Sequence, residues 1–316
     1  MKRISIVIPT YKSEPNLPTL VARLEGVLGQ VPYEYEIIVV NDASPDNTMS
    51  VLRGICEKNG RVRVISLSRN FGQQIATTAG LQHSSGDAVI IMDDDLQDPP
   101  EAIPSLLERW EQGYDVVYVI RKSRREGILK RIAYKLVYKI LARMSHIAIP
   151  RDSGDFGLMD RKVVEIINSM PERNRFVRGL RAWVGFKQIG VEWDRAARFE
   201  GEPAYNLPKM IKLFADGLLA FSNLPLQLAS TFGLIVSAMA FIGMILTFLQ
   251  WILTRIAPDS PIAVWPGFST IVLSILFLGG VQLIGIGILG AYIARIYDEV
   301  KLRPQYLVRE KIGFDK

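Results

Sequence analysis

Residues 88–101 read AVIIMDDDLQDPPE: an unbroken apolar run at 88–92 gives way at once to Asp93, Asp94 and Asp95. Apolar residues at every position, rather than at alternate ones, mark a strand covered on both faces. Three further runs come close to this pattern: ISIVIP at 4–9, EIIVVN at 36–41 and VRVIS at 62–66. Between the runs, residues 18–28, 46–58 and 73–83 have helical spacing with turn residues at their ends. Strand and helix alternate, which predicts an α/β fold with a mostly parallel sheet and right-handed crossovers.

Such sheets bind ligands beyond the carboxyl ends of their strands. Past the first strand come Pro9, Thr10 and Tyr11; past the second comes Asp42; past the fourth comes the acidic run. No Gly-x-Gly-x-x-Gly follows the first strand and there is no P-loop, so neither a dinucleotide site nor an ATPase site is supported. On an extended backbone, side chains two apart point the same way, so Asp93 and Asp95 can reach one cation. Oxygen ligands without Cys or His favour Mg²⁺ or Mn²⁺, ions that bridge to substrate phosphates. The competing reading is an acidic loop capping a helix that starts near Pro99; the strand-end position beside the Asp42 turn favours the metal.

The 316 residues include 38 Lys+Arg and 32 Asp+Glu, with 49% hydrophobic and 22% charged residues, which excludes a disordered chain. A single cysteine, Cys56, excludes a disulfide framework and suits a reducing compartment. The two histidines, His83 and His146, leave little for a His-based metal site.

Charge divides the chain. Residues 217–254 and 260–294 contain none, runs of 38 and 35. Each exceeds the roughly 20 apolar residues that cross a bilayer, which predicts spans over about 226–252 and 267–294. Two buried core helices are the competing reading, disfavoured because soluble cores seldom run so long without charge. Lys2 and Arg3 precede an apolar run that ends at Pro9, too short for a signal peptide. The only basic residue of the loop between the spans is Arg255, whereas Lys209 and Lys212 precede them and Arg295, Lys301, Arg303, Arg309 and Lys311 follow. The positive-inside rule then places both termini and the N-terminal domain in the cytoplasm.

The stretch at 206–221 spaces Leu207, Met210, Ile211, Phe214 and Leu218 helically around Lys209 and Lys212, which suits an amphipathic helix on the membrane surface. The expected division is 1–205 for the α/β domain, 206–224 for this helix, 225–294 for the hairpin and 295–316 for a cytosolic tail. Beside two spans, the basic stretch RKSRREGILKR at 121–131 points to anionic lipid headgroups rather than nucleic acid. Five glycines of the second span, from Gly279 to Gly290, allow close helix packing and a homo-oligomer.

ISIVIPTY at 4–11, VNDASPD at 40–46, RNFGQQ at 69–74 and MDDDLQDPPE at 92–101 resemble the family 2 glycosyltransferases of GT-A fold. DFGLMDR at 155–161, RFVRGLRAWVG at 175–185 and the trailing spans resemble, more narrowly, the polyprenyl-phosphate glycosyltransferases. That group includes the dolichol-phosphate mannose synthases and the GtrB-type glucosyltransferases, and the two-span layout is most GtrB-like.

The resemblance implies that Pro9, Tyr11 and Asp42 hold the nucleoside, and that Asp93 and Asp95 hold the metal on the diphosphate with Gln97 beside them. It further implies that Asp155 faces the reacting centre as base or orienting group, and that Arg121, Arg131 and Arg198 lie near phosphates. Lys12-Ser13 stands where Asn-Glu is common, Asp94 where Ala is usual, and Gly201-Glu202-Pro203-Ala204 where Gly-Glu-Ser-Lys is common. Ala215 stands where a larger apolar residue is usual.

The implied reaction is inverting transfer of a sugar from a nucleotide diphosphate to a polyprenyl phosphate such as undecaprenyl phosphate, at the cytosolic face of the plasma (inner) membrane. These residues hold no code for the sugar. Glucose from UDP-glucose follows the GtrB-like layout, while mannose, galactose, N-acetylglucosamine and an aminoarabinose derivative stay open. A processive polysaccharide synthase needs a channel, for which two spans are too few. A non-catalytic scaffold would tolerate loss of an acidic position, yet Asp42, Asp93, Asp95 and Asp155 are all present.

Overall fold

The computed structural model describes residues 1–121, 153–173, 175–193, 224–256 and 267–314. The chain forms two compact units, Met1–Met210 with Arg303–Lys316, and Ile211–Leu302.

The first unit is built on one sheet. Strands β1 (Arg3–Thr10), β2 (Glu34–Asn41), β3 (Val62–Leu67) and β4 (Ala88–Ile91) run parallel, connected by helices α1 (Leu17–Leu28), α2 (Thr48–Lys58) and α3 (Gln73–His83). Each of these elements lies within two residues of its expected bounds at the start and end. There follow a short 3-10 turn, α4 (Ile103–Glu111), β5 (Val116–Arg121), β6 (Ser153–Asp160), α5 (Arg161–Ser169), α6 (Val177–Trp183) and β7 (Gln188–Trp193). The order across the sheet is β7-β5-β6-β4-β1-β2-β3-β8, where β8 is Val308–Ile312. Only β6 and β8 run against the others, so the expected mostly parallel sheet is present.

The continuous apolar runs follow from burial on both faces. In β1, Ile4, Ile6 and Ile8 pack with α1, α2 and α4, whereas Val7 faces the side carrying α3, α5 and α6. All four side chains are fully buried, and each contributes about 1.5–3 kcal/mol of transfer free energy. A polar residue at any of these positions would lose that and leave an unpaired group in the interior.

The eighth strand was not foreseen, because VREKI at 308–312 alternates charge and reads as a solvated tail. It is an edge strand, where one face meets water and alternation is the rule. Ser68 donates its N–H to Leu307 O at 2.8 Å, and Arg309 Nη2 donates to Ser68 O at 3.0 Å. Arg53 pairs with Glu310, and Tyr306, Val308 and Phe314 pack on the Ile38, Val40, Ile65 and Leu67 cluster.

The second unit contains α7 (Leu224–Ile256) and α8 (Gly267–Val300), packed against each other. Within them Leu226–Leu249 and Phe277–Val300, with mean hydropathies of 2.4 and 1.8, are long and apolar enough to cross a membrane. Leu234 and Leu283 are each 71% exposed, which excludes the reading as buried core helices. The helices run past the expected span ends at 252 and 294 because charged residues such as Arg255 and Arg295 continue the last turns. The expected amphipathic helix, apart from Leu224, lies outside the described residues, as do Ala215 and residues 257–266 between the spans.

Candidate active site

Six strands end on one edge of the sheet, and the loops that leave β1, β2 and β4 carry the acidic and aromatic residues. Each of these loops contains a non-glycine residue in the left-handed region: Lys12 (φ 57°), Ala43 (φ 55°) and Leu96 (φ 59°). That conformation costs roughly 1–2 kcal/mol per residue, and strain of this kind gathers where a loop has a task other than stability.

Because β6 runs against β4, its start lies beside the exit of β4. Ile91 pairs with Gly157, and continuing that register by two residues brings Asp155 toward Asp93. A Cβ on Gly157 would stand 2.7 Å from Val117 O, so the close approach of β5 and β6 requires a glycine here.

Helix α3 reaches both aspartates from its first turn. Gln73 Nε2 donates to Asp93 Oδ1 at 2.7 Å, and Gln74 Nε2 donates to Asp155 Oδ2 at 3.3 Å. Gln74 Oε1 in turn accepts the N–H of Val177 at 2.8 Å, fixing the start of α6. From α6, Arg178 Nε donates to Asp155 Oδ1 at 3.1 Å, and Arg181, 3% exposed, donates to Gly154 O and Asp155 O at 3.2 and 3.4 Å. Burial pulls the Arg181 guanidinium down to about 10, and it stacks 5.5 Å from the Tyr118 ring centre.

Asp93 has its carboxyl pushed up to about 8, first by burial and then by the charges of Asp98, Asp155, Asp95 and Asp94. A carboxyl held back from ionising by neighbouring negative charges marks a place where a cation would be stabilised. Among the described residues no three His, Cys, Asp or Glu side chains close into a complete metal cage. A hard divalent cation such as Mg²⁺ commonly needs only one or two protein carboxylates, with phosphate oxygens and water completing the shell. Asp93 and Asp95 fit that role. Gln97, 8% exposed, donates its backbone N–H to Asp95 Oδ1 at 3.1 Å and so shapes the same loop.

Asp42, 2% exposed, accepts the N–H of Phe71 at 2.7 Å on one carboxylate oxygen and that of Gly72 at 2.8 Å on the other. Gly72 (φ 96°) caps α3 in a conformation that favours glycine. Asp42 therefore holds the β3–α3 loop, and through it the positions of Gln73 and Gln74. Pro9 is buried in β1 opposite Val40, and Tyr11, 45% exposed, stands free of the core.

The structure thus gathers Tyr11, Asp93, Asp95, Gln97 and Asp155 on one edge, with Asp42 and Pro9 behind them. Arg121 ends β5, but its side chain lies outside the described residues, as do Arg131 and Arg198. Sequence reasoning assigned no role to Gln73, Gln74, Arg178 or Arg181. The first pair sits in RNFGQQ and the second in RFVRGLRAWVG, and amide side chains at a helix start just past a strand end were the available signal.

The model of the Glycosyl transferase family 2 matches residues 5–167. An uncharacterized glycosyltransferase of Synechocystis sp. is 44% identical over 313 residues, covering 99% of this chain and 96% of that protein. An uncharacterized glycosyltransferase of Bacillus subtilis is 44% identical over 312 residues, covering 98% and 94%. A prophage-derived bactoprenol glucosyl transferase of Shigella flexneri is 41% identical over 310 residues, covering 98% of each chain.

Proposed function

This chain is a member of glycosyl transferase family 2, and from that premise we propose that it moves glucose from UDP-glucose to a polyprenyl phosphate. The transfer inverts the anomeric carbon, and the product is a lipid-linked sugar donor. The observation that carries this reading is the meeting of Asp93, Asp95 and Asp155 at the adjoining ends of β4 and β6. The likeness to a bactoprenol glucosyl transferase over nearly the whole chain, apolar helices included, supports the lipid acceptor and the glucose.

Asp93 and Asp95 are the residues that would hold a divalent cation, Mg²⁺ or Mn²⁺ by their oxygen-only chemistry. When bound, a divalent cation neutralises the charge that develops on the departing nucleoside diphosphate. Tyr11 and the β1–α1 loop receive the nucleoside. A phosphate monoester has a second pKa of about 6, so the acceptor arrives largely as a dianion and needs little help from a base. Asp155, engaged by Gln74 and Arg178, orients the reacting groups rather than carrying off a proton. Arg121, Arg131 and Arg198 supply positive charge to the phosphates.

The pairing of β8 with β3 supports a hairpin in the membrane, since two crossings between β7 and β8 return the chain to the side it left. The basic residues on both flanks support a cytosolic position for that side.

A panel of UDP- and GDP-sugars offered with undecaprenyl phosphate and Mg²⁺ tests the donor. Release of nucleotide is expected with UDP-glucose and is expected to fall at least about 1,000-fold in Asp93→Asn and Asp95→Asn. Preference for another donor would overturn the glucose assignment, and full activity in both variants would overturn the metal site.

A further inference from the structure

Of the three consecutive aspartates, Asp94 is the one whose side chain bonds the loop that follows β1. Thr10 Oγ1 donates to Asp94 Oδ2 at 2.5 Å, Ser13 Oγ donates to the same oxygen, and the N–H of Tyr11 also bonds the carboxylate. Three donors from four successive residues converge on one side chain of a different strand end.

The rest of that loop is tied on its other side. Lys12 N–H bonds Ser44 Oγ at 3.0 Å and Ser13 N–H bonds Thr48 Oγ1 at 3.1 Å, which anchors the loop to the segment after β2. Ser44 is held in turn by Asn41 Oδ1. Asp94 is what joins this web to the β4 loop that carries Asp93 and Asp95. Tyr11 is 45% exposed, so core packing does not fix its ring; the backbone that carries it must be held by hydrogen bonds, through the strained turn at Lys12.

We propose that Asp94 is a positioning residue of the donor pocket: it latches the β1–α1 loop, and with it Tyr11, at a fixed distance from the metal-binding aspartates. Asp94 is not a third metal ligand, because its oxygen is engaged by hydroxyl donors on the side of the loop. Resting on the nucleotide-sugar reading, the latch sets the spacing between the pocket for the base and the pocket for the diphosphate. Its loss weakens donor binding more than it slows the chemical step. Ser13 and Asp94 contact each other, so they act as one unit.

The test uses the full-length protein with three variants, Asp94→Ala, Asp94→Asn and Ser13→Ala. Amide hydrogen exchange reads the latch directly, whatever the donor proves to be. In Asp94→Ala the amides of residues 11–14 and 16 should exchange at least tenfold faster, with β1 and β2 unchanged. The UDP dissociation constant in Mg²⁺ should rise about tenfold, with kcat at saturating donor reduced less than threefold. Ser13→Ala should reproduce part of both effects, and adding it to Asp94→Ala should do little more. Asp94→Asn, which keeps an acceptor and the side-chain volume, serves if the alanine variant does not fold; it should show a smaller shift in the same direction. Unchanged exchange at residues 11–14 and 16 would overturn the latch. So would a loss of activity as deep as that of Asp93→Asn, which would make Asp94 a metal ligand. Failure of the native protein to bind UDP would overturn the nucleotide reading instead, and hydrogen exchange would still decide the latch.

Discussion

Arg178 Nε lies 3.1 Å from Asp155 Oδ1, with 23% and 16% of the two side chains exposed. A carboxylate held in this way by a guanidinium and by Gln74 is set in place for orientation. Misplacing a reacting group by about 1 Å can cost on the order of 100-fold in rate. Arg178→Ala should therefore lower kcat about 10- to 100-fold while leaving donor KM within threefold, and Arg178→Lys should recover part of the loss. Steady-state kinetics of the three proteins checks this; a pure KM effect would detach Arg178 from the reacting centre.

Asp42 offers a second distinction. Both of its oxygens accept backbone N–H groups of the β3–α3 loop, and Asn can offer only one such acceptor. Leaving one buried donor unpaired costs about 1–3 kcal/mol. Asp42→Asn should thus lower the melting temperature even without nucleotide, by roughly 2–4 °C per kcal/mol in a domain of this size. An unchanged melting temperature with weakened UDP binding would instead make Asp42 a direct nucleoside contact.

Glu36 governs stability at low pH. It is 1% exposed; burial works to raise its pKa, but hydrogen bonds from Ser5 and Ser85 and the Arg63 charge hold it below the ordinary 4.5. Arg63 Nη1 stands 2.6 Å from Glu36 Oε2. A carboxyl whose pKa is lower in the folded state stabilises the protein above its unfolded value, and that contribution is lost as pH falls through the folded value. Glu36→Gln should be less stable than the native protein at pH 7, by about 3 kcal/mol for a broken buried pair. The difference should shrink below pH 4.5, which thermal melts of both proteins across pH 3–7 would reveal.

Truncation after Leu302 tests the tail. It removes β8, the Arg53–Glu310 pair and the Leu307 and Arg309 contacts to Ser68, and it uncovers Ile65 and Leu67. The melting temperature should fall by roughly 5 °C or more, and binding of UDP should weaken because Ser68 precedes the loop that Asp42 grips. A truncated protein of native stability would make β8 an ornament of the edge.

Much of this fold is written in the sequence, for identifiable reasons. Strands β1 to β4 are buried on both faces, so selection for apolar residues leaves continuous runs, and the uncharged spans are equally plain. Edge strand β8 escapes notice because water on one face permits VREKI to look like a tail. Asp93 and Asp95 are legible as a pair because they flank one residue just past an apolar strand. The partners of Asp155 are not: Gln74 lies 81 residues before it and Arg178 lies 23 after it, and only the antiparallel return of β6 beside β4 brings them together. Nor are the partners of Asp94, since Thr10 and Ser13 come from a strand end more than 80 residues away.

The most direct measurement follows labelled glucose from UDP-glucose into lipid. The purified protein in nanodiscs, with Mg²⁺ and undecaprenyl phosphate, should yield a lipid heavier by one hexose, with the anomeric configuration opposite to that in the donor and with UDP released in equal amount. Chelation of the metal should stop it. UDP released at the same rate without the lipid, or a product with retained configuration, would contradict direct transfer to the lipid phosphate.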